Sequence, residues 1–248
     1  MRKQEPTDTS GDNDYGVPIP GNVLPETSWA KTAIKRLPPE GPLDFAAIFG
    51  RIAPVVLDLG CGNGRFTITS ALKRPEIDHI ATDILPMVIR YATRRANQRG
   101  LFNTRWVVSG AYELLDLYIA PQSVQEIHLY HPQPYHDTKE SYKRLITPEF
   151  MTMVYRSLRP DGLLVIQTDN KPYWQYVQKV LPGIFDWKEQ KSAWPDAPQG
   201  RTRREIYARN HGLPIYRGYG SPLAGFDAPA LEKWASSQPL PRFATSGR

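Results

Sequence analysis

The stretch Leu57–Phe66, LDLGCGNGRF, decides the fold. An apolar run (APVVLDLG, 53–60) leads into it, three glycines alternate with other residues, and a helix-like segment follows. That order is a buried strand, a tight turn and a helix start. Glycines in such a turn let the backbone approach a ligand closely and present free N–H groups at the helix N-terminus. A dinucleotide fingerprint is the obvious rival reading, but it needs G-x-G-x-x-G, and its third glycine position is Arg65 here. The spacing is G-x-G-x-G at Gly60, Gly62 and Gly64, with Asp58 two residues ahead.

Outward from this turn the chain alternates. HIATDI (79–84), TRWVVSG (104–110), EIHLY (126–130) and LLVIQTD (163–169) are apolar runs ending in polar residues or glycine, each short enough for a strand buried on both faces. Helical spacing fills the gaps. In TPEFMTMVYRSLRPDG, Thr147 is the expected N-cap, Pro148 and Glu149 suit the first turn, and Phe150, Met153, Val154 and Leu158 share a face before Pro160 and Gly162. Strands alternating with helices predict an α/β fold with a mostly parallel sheet. Residues 1–25 read as a disordered leader, 26–218 as the domain, and 219–248 as a flexible tail with one short helix around LEKWA.

The chain has 248 residues, a formal charge of +6 and a pI near 9.3, which points weakly to an anionic partner. The single cysteine, Cys61, excludes an internal disulfide and a multi-cysteine metal site, fits a reducing, cytoplasmic setting, and reads as a small buried spacer. No apolar run reaches membrane-spanning length.

The G-x-G-x-G turn with its leading acid resembles motif I of class I S-adenosylmethionine (SAM) methyltransferases, and Asp83 ends the next strand, where a carboxylate can accept both ribose hydroxyls. From about Ile48 to Arg217 the chain resembles bacterial tRNA (guanine-N7-)-methyltransferases. The blocks that carry this are IFGRIAPVVLDLGCGNGRF, the segment Asn103 to Leu115, HPQPYHD with KRLITPEF behind it, LRPDGLLVIQTDNKPY and RTRREIYARNHGLPIY. The resemblance implies a Rossmann-like, mostly parallel seven-stranded sheet with helices on both faces. It also implies SAM as cofactor and tRNA or another structured RNA as partner; the residues themselves leave the oligomeric state open, with a monomer as the expectation.

Carried over position by position, Asp58, Gly60, Gly62, Gly64 and Asp83 match cofactor contacts. Gly110 and Ala111 stand where the family has Asp before Ala, leaving only backbone for the adenine end. HPQPYHD occupies the family's F-P-D-P-W-P-K loop, so Gln133 takes the proposed catalytic Asp position, beside the cofactor as well, and Asp137 takes the Lys. His131 and Tyr135 replace Phe and Trp and are expected to offer flat surfaces beside a base. Asp169 matches a target-guanine position, as do Thr202, Arg203, Arg204 and Glu205 of the C-terminal T-x-x-E motif, expected on a strand. No metal site is expected, since His131, His136 and Asp137 lack a further ligand at useful spacing.

Guanine N7 has a lone pair and no proton, so its methylation needs no base, and alignment supplies most of the acceleration. Gln133 can touch guanine's N1–H and O6 but brings no charge. Two further readings therefore stay open: another RNA or a small molecule as substrate, and a catalytically silent SAM- or RNA-binding protein. Basic residues recur in Lys31, Lys35 and Arg36, in Arg90, Arg94, Arg95 and Arg99, in Lys143 and Arg144, and in Arg201, Arg203, Arg204 and Arg209. The second group reads as a solvated helix face and the last two as RNA contacts, with Tyr142, Trp194 and Tyr207 available to stack on unpaired bases.

Overall fold

Residues Val55–Leu59 form a strand in which every side chain is buried, because apolar residues on both of its faces meet a helical layer. The structure, a computed structural model, describes residues 12–245. Its strands in chain order are β1 (Asn13–Asp14), β2 (Val17–Pro18), β3 (Ala33–Ile34), β4 (Val55–Leu59), β5 (Asp78–Asp83), β6 (Thr104–Val108), β7 (Val124–Tyr130), β8 (Leu158–Thr168), β9 (Phe185–Glu189) and β10 (Tyr216–Pro222). The helices are α1 (Phe45–Phe49), α2 (Arg65–Lys73), α3 (Pro86–Gln98), α4 (Ala111–Glu113), α5 (Pro148–Ser157), α6 (Lys171–Val180), α7 (Arg203–Asn210) and α8 (Ala228–Ser237).

Among the described residues one sheet of eight strands runs β3-β6-β5-β4-β7-β8-β10-β9. It is parallel except for β10, which pairs antiparallel with both β8 and β9. The expected seven strands are joined by the two-residue β3 at one edge. Alternation along β4 divides the core: Leu57 and Leu59 face α5, α6 and α8, while Val56 faces α2. Helices α2 and α3 pack on this second face through Ile68, Ala71, Ile89, Ala92 and Ala96.

Local chemistry sets the ends of these elements. The Thr147 hydroxyl accepts the Phe150 N–H at 3.1 Å, with Pro148 in the first turn, as the sequence predicts. The helix is shorter than expected: Leu158 leaves it and starts β8, which carries Pro160 and Gly162 across a register irregularity opposite Val124 and Glu126. The T-x-x-E motif is helical and not a strand. The Thr202 hydroxyl caps α7 by accepting the Glu205 N–H at 3.1 Å, the pairing that S/T-x-x-E favours at a helix start.

Both expected flexible ends carry structure where they are described. Residues 1–11 of the leader lie outside the described residues, but Asn13–Pro18 forms a hairpin through Tyr15 and Gly16, both with positive φ, and Ile19 is buried beside α2 and α3. Beyond Arg217, β10 completes the sheet and α8 buries Leu231 and Trp234 in the main core. The following segment returns across the molecule: Tyr176 donates to the Pro239 carbonyl at 2.9 Å, and the Arg144 guanidinium lies 3.9 Å from the Phe243 ring centre.

Candidate cofactor and substrate cleft

The C-terminal ends of β4, β7 and β8 open into a cleft of about 1290 Å³. One wall is the glycine turn, Gly60 to Asn63, above Asp58; the opposite wall is His131 to Pro134, Asp169 to Pro172 and Thr202 to Arg204. This is where a doubly wound sheet presents free strand ends to a ligand.

Gly60, Gly62 and Gly64 all have left-handed φ, of 79°, 53° and 79°. At Gly60 and Gly62 a Cβ would meet open space, so the turn presents bare backbone to the cleft. Gly64 does different work. A Cβ there would fall 2.7 Å from Trp106, so its bareness lets α2 sit against the sheet. Asp58 is buried, and its Oδ2 accepts the Thr67 hydroxyl at 2.6 Å. Burial, with help from the nearby Asp83 carboxylate and against the Thr67 bond, pushes its pKa up to about 7.

Asp83 lies beside the turn and not on the cleft surface: its oxygens accept the Gly62 N–H at 3.2 Å and the Leu85 N–H at 3.0 Å. Gly110 and Ala111 stand at the start of α4, also outside the cleft lining, with Ile84 3.9 Å from where a Gly110 Cβ would be. Cys61 is half-buried on the cleft wall, more open than the sequence suggested.

The loop His131–Arg144 reaches the cleft with Gln133 exposed on its surface. His131 Nδ1 meets Asp169 Oδ1 at 3.1 Å, and His136 Nδ1 meets the Thr245 hydroxyl at 2.7 Å, so each histidine has a protein partner. Asp169 Oδ2 receives Arg204 at 2.6 Å. Burial opposes its ionisation, but the His131 and Arg204 hydrogen bonds outweigh this and hold the carboxyl well below the usual range.

Several sequence expectations move. Glu205 is fully buried: Arg217 and Arg209 donate to its Oε1 at 2.7 and 2.9 Å, so it does not reach the cleft. Asp137 caps the short turn at Thr138 by accepting the Lys139 N–H at 2.8 Å, away from the cleft. Arg144 is buried, donating to the Pro134, Tyr135 and Pro241 carbonyls, so it braces the loop and faces no RNA. Arg90 and Arg94 are exposed, but Arg95 and Arg99 are buried and paired with Asp12. Trp194 is core, with Arg201 lying 4.0 Å from its ring.

Sequence reasoning missed three groups. Asp14 and Tyr15 line the cleft from the leader, where the turn-forming DYG before VPIP was the available signal. Asn63 joins the glycine turn to that hairpin by donating to Asp14 Oδ1 at 2.7 Å. Gln167, a lone buried amide near the C-terminal end of an apolar strand, signalled a polar network beneath the cleft.

Residues 52–217 match a family model described as a putative methyltransferase. The tRNA (guanine-N(7)-)-methyltransferase of Paracidovorax citrulli is 32% identical over 178 residues, 72% of this chain and 71% of the relative. The chain belongs to this methyltransferase family. The family's namesake from Alcanivorax borkumensis is 31% identical, over 76% of this chain and 79% of that one. Solved structures agree on the class I methyltransferase fold. The 16S rRNA methyltransferase KamB superposes with a TM-score of 0.56 at 15% identity, covering 77% of this chain and 98% of that one. A 16S rRNA (adenine(1408)-N(1))-methyltransferase from Catenulisporales acidiphilia gives 0.53 at 14% identity, over 78% and 96%. The hairpin of β1 and β2, and everything after Arg217, lie outside the family match.

Proposed function

We infer that the protein transfers a methyl group from SAM to N7 of a guanosine in tRNA. The observation that carries this is one cleft in a chain of this family, with the bare turn Gly60–Asn63 on one wall and Asp169 on the other. The residues fit SAM: open backbone at Gly60 and Gly62 admits a ligand, and the buried Asp58 below them lacks a cationic partner among the described residues. Asp58 would hold the ligand's charged methionine end inside the cleft, while its ribose and adenine would extend past the glycine turn, beyond the cleft lining, toward Asp83 and the Gly110–Ala111 backbone beside Ile84. SAM supplies an activated methyl group on its sulfonium.

The chain's own part is alignment. N7 needs no deprotonation, so the loop and the Asp169 wall hold the base with its lone pair toward the methyl group. Asp169 accepts from the guanine N1–H and amine edge and offsets the positive charge growing on the ring. Gln133 adds one acceptor and two donors without charge. Thr202, Arg203 and the exposed Lys171 stand at the rim for phosphates.

Incubation with labelled SAM and bulk tRNA, followed by mapping of the methylated position, tests this reading. Transfer to guanine N7 is expected. SAM binding without transfer to any tRNA overturns it.

A further inference from the structure

A hydrogen-bond chain beneath the cleft runs from a buried carboxylate to Asp169, and the chemistry of its members fixes every direction. Gln167 Oε1 accepts from Trp194 Nε1 at 2.7 Å and Arg217 Nε at 3.1 Å. Both partners only donate, so the amide oxygen faces them. The amide nitrogen then faces Glu205 Oε2 at 3.1 Å and His131 Nε2 at 2.9 Å. A flipped amide would set N–H groups against two donors and its oxygen against a carboxylate. Burial opposes ionisation of Glu205, but Arg217, the Arg201 N–H and Gln167 outweigh it and keep the carboxyl low and charged.

With one amide hydrogen for each neighbour, His131 Nε2 is an acceptor and carries no proton. The imidazole proton is then on Nδ1, 3.1 Å from Asp169 Oδ1. The backbone cooperates: His131 adopts φ 50°, in the left-handed region, and its N–H donates to the Gln167 carbonyl at 2.6 Å. Arg204 holds the other Asp169 oxygen, so the carboxylate plane is fixed on the cleft wall.

We propose that His131 is a positioning residue, locked as the neutral Nδ1–H tautomer by Glu205 and Gln167, and that it aims Asp169 at the donor edge of the target base. The proposal rests on the methyl-transfer reading only in naming that base. It gives the buried Glu205 a role at a distance of three hydrogen bonds, and it gives a chemical reason for His131 at the position where the family's loop pattern has Phe. A phenyl ring at this position has no N–H to give to Asp169.

Nitrogen-15 spectra of histidine-labelled protein at neutral pH, with His131 assigned by its loss in His131→Gln, read the tautomer directly. A protonated Nδ1 and bare Nε2 are expected; an Nε2–H tautomer or an imidazolium overturns the proposal. Kinetics supply the second readout. His131→Leu is expected to raise KM for tRNA about tenfold or more, with SAM affinity within about twofold, as losing a hydrogen bond to a charged group implies. His131→Asn, whose amide N–H falls near the Nδ1 position, is expected to recover most of that loss. Equal KM in the two variants overturns the positioning role. A parent chain with no transfer to tRNA overturns the functional reading instead, and the tautomer still decides the relay.

Discussion

Asp58 is a carboxyl group only 2% exposed, with a pKa raised by burial to about 7. In the unfolded chain such a group loses its proton near pH 4, roughly its free value, while the folded apo-protein retains it. On this group's account stability therefore falls as pH rises from about 4 toward 7. A docking cation reverses the preference and expels the proton. SAM affinity is accordingly expected to rise by up to about tenfold per pH unit below about 7 and to level off above it. Calorimetry in buffers of differing ionisation heat reads the released proton, and a flat affinity from pH 6 to 8 would separate Asp58 from the cofactor. Gly64→Ala makes a structural prediction at the same scale. Its Cβ meets Trp106 and Ala92 at 2.7 and 2.9 Å, in a left-handed conformation. A loss on the order of 3 kcal/mol is expected in chemical denaturation, from overpacking plus backbone strain.

At the scale of elements, the chain beyond Arg217 is a brace for the loop that carries Gln133. Helix α8 anchors it through Leu231 and Trp234, and Phe243 packs on Tyr173, Tyr176 and Arg144. Arg144 in turn holds the carbonyls of Pro134 and Tyr135. Phe243→Ala removes the ring beneath that guanidinium. Faster hydrogen exchange across residues 131–144 and a roughly tenfold lower kcat on tRNA are expected, since misplaced positioning groups cost about this much or more. SAM affinity is expected to hold, because the glycine turn lies on the other wall. Unchanged exchange in the loop would leave the segment as packing alone.

At the scale of the whole molecule, the hairpin of β1 and β2 ties the two walls together. Asp14 accepts from Arg65 at 3.2 Å and from Asn63 at 2.7 Å, and Arg203 lies 5.1 Å from the Tyr15 ring centre. Arg65 and Asp14 are both buried, so Asp14→Asn leaves a buried guanidinium without its charge partner. A loss of about 3 kcal/mol is expected in urea unfolding, the lower end for a broken buried pair. Weaker SAM binding is expected with it, because Asn63 belongs to the glycine turn. A midpoint shift without any change in SAM affinity would confine the hairpin to stability.

The alternation of buried strands with helices, the glycine turn, the Thr147 cap and the cleft position of Gln133 and Asp169 were legible because each depends on local order: period, turn chemistry and the end of a strand. The terminal segments were not. Their composition is poor in apolar groups, and a few anchors such as Ile19, Trp234 and Phe243 dock onto a surface that exists only once the sheet has formed. The arginines divide in the same way. Sequence sees Arg95, Arg99 and Arg144 as free charge, and only the fold brings Asp12 or backbone carbonyls to them. The order of residues along the chain already specified a methyltransferase sheet with its turn, its loop and its acids in place. Folding adds that Glu205 is buried, that His131 meets Asp169, and that Asp14 reaches the glycine turn while Phe243 and Thr245 reach the His131–Arg144 loop. The physical reason is that a buried polar group takes whatever partner the packing supplies, and those partners lie 38 residues apart in the chain for His131 with Asp169 and for Gln167 with Glu205.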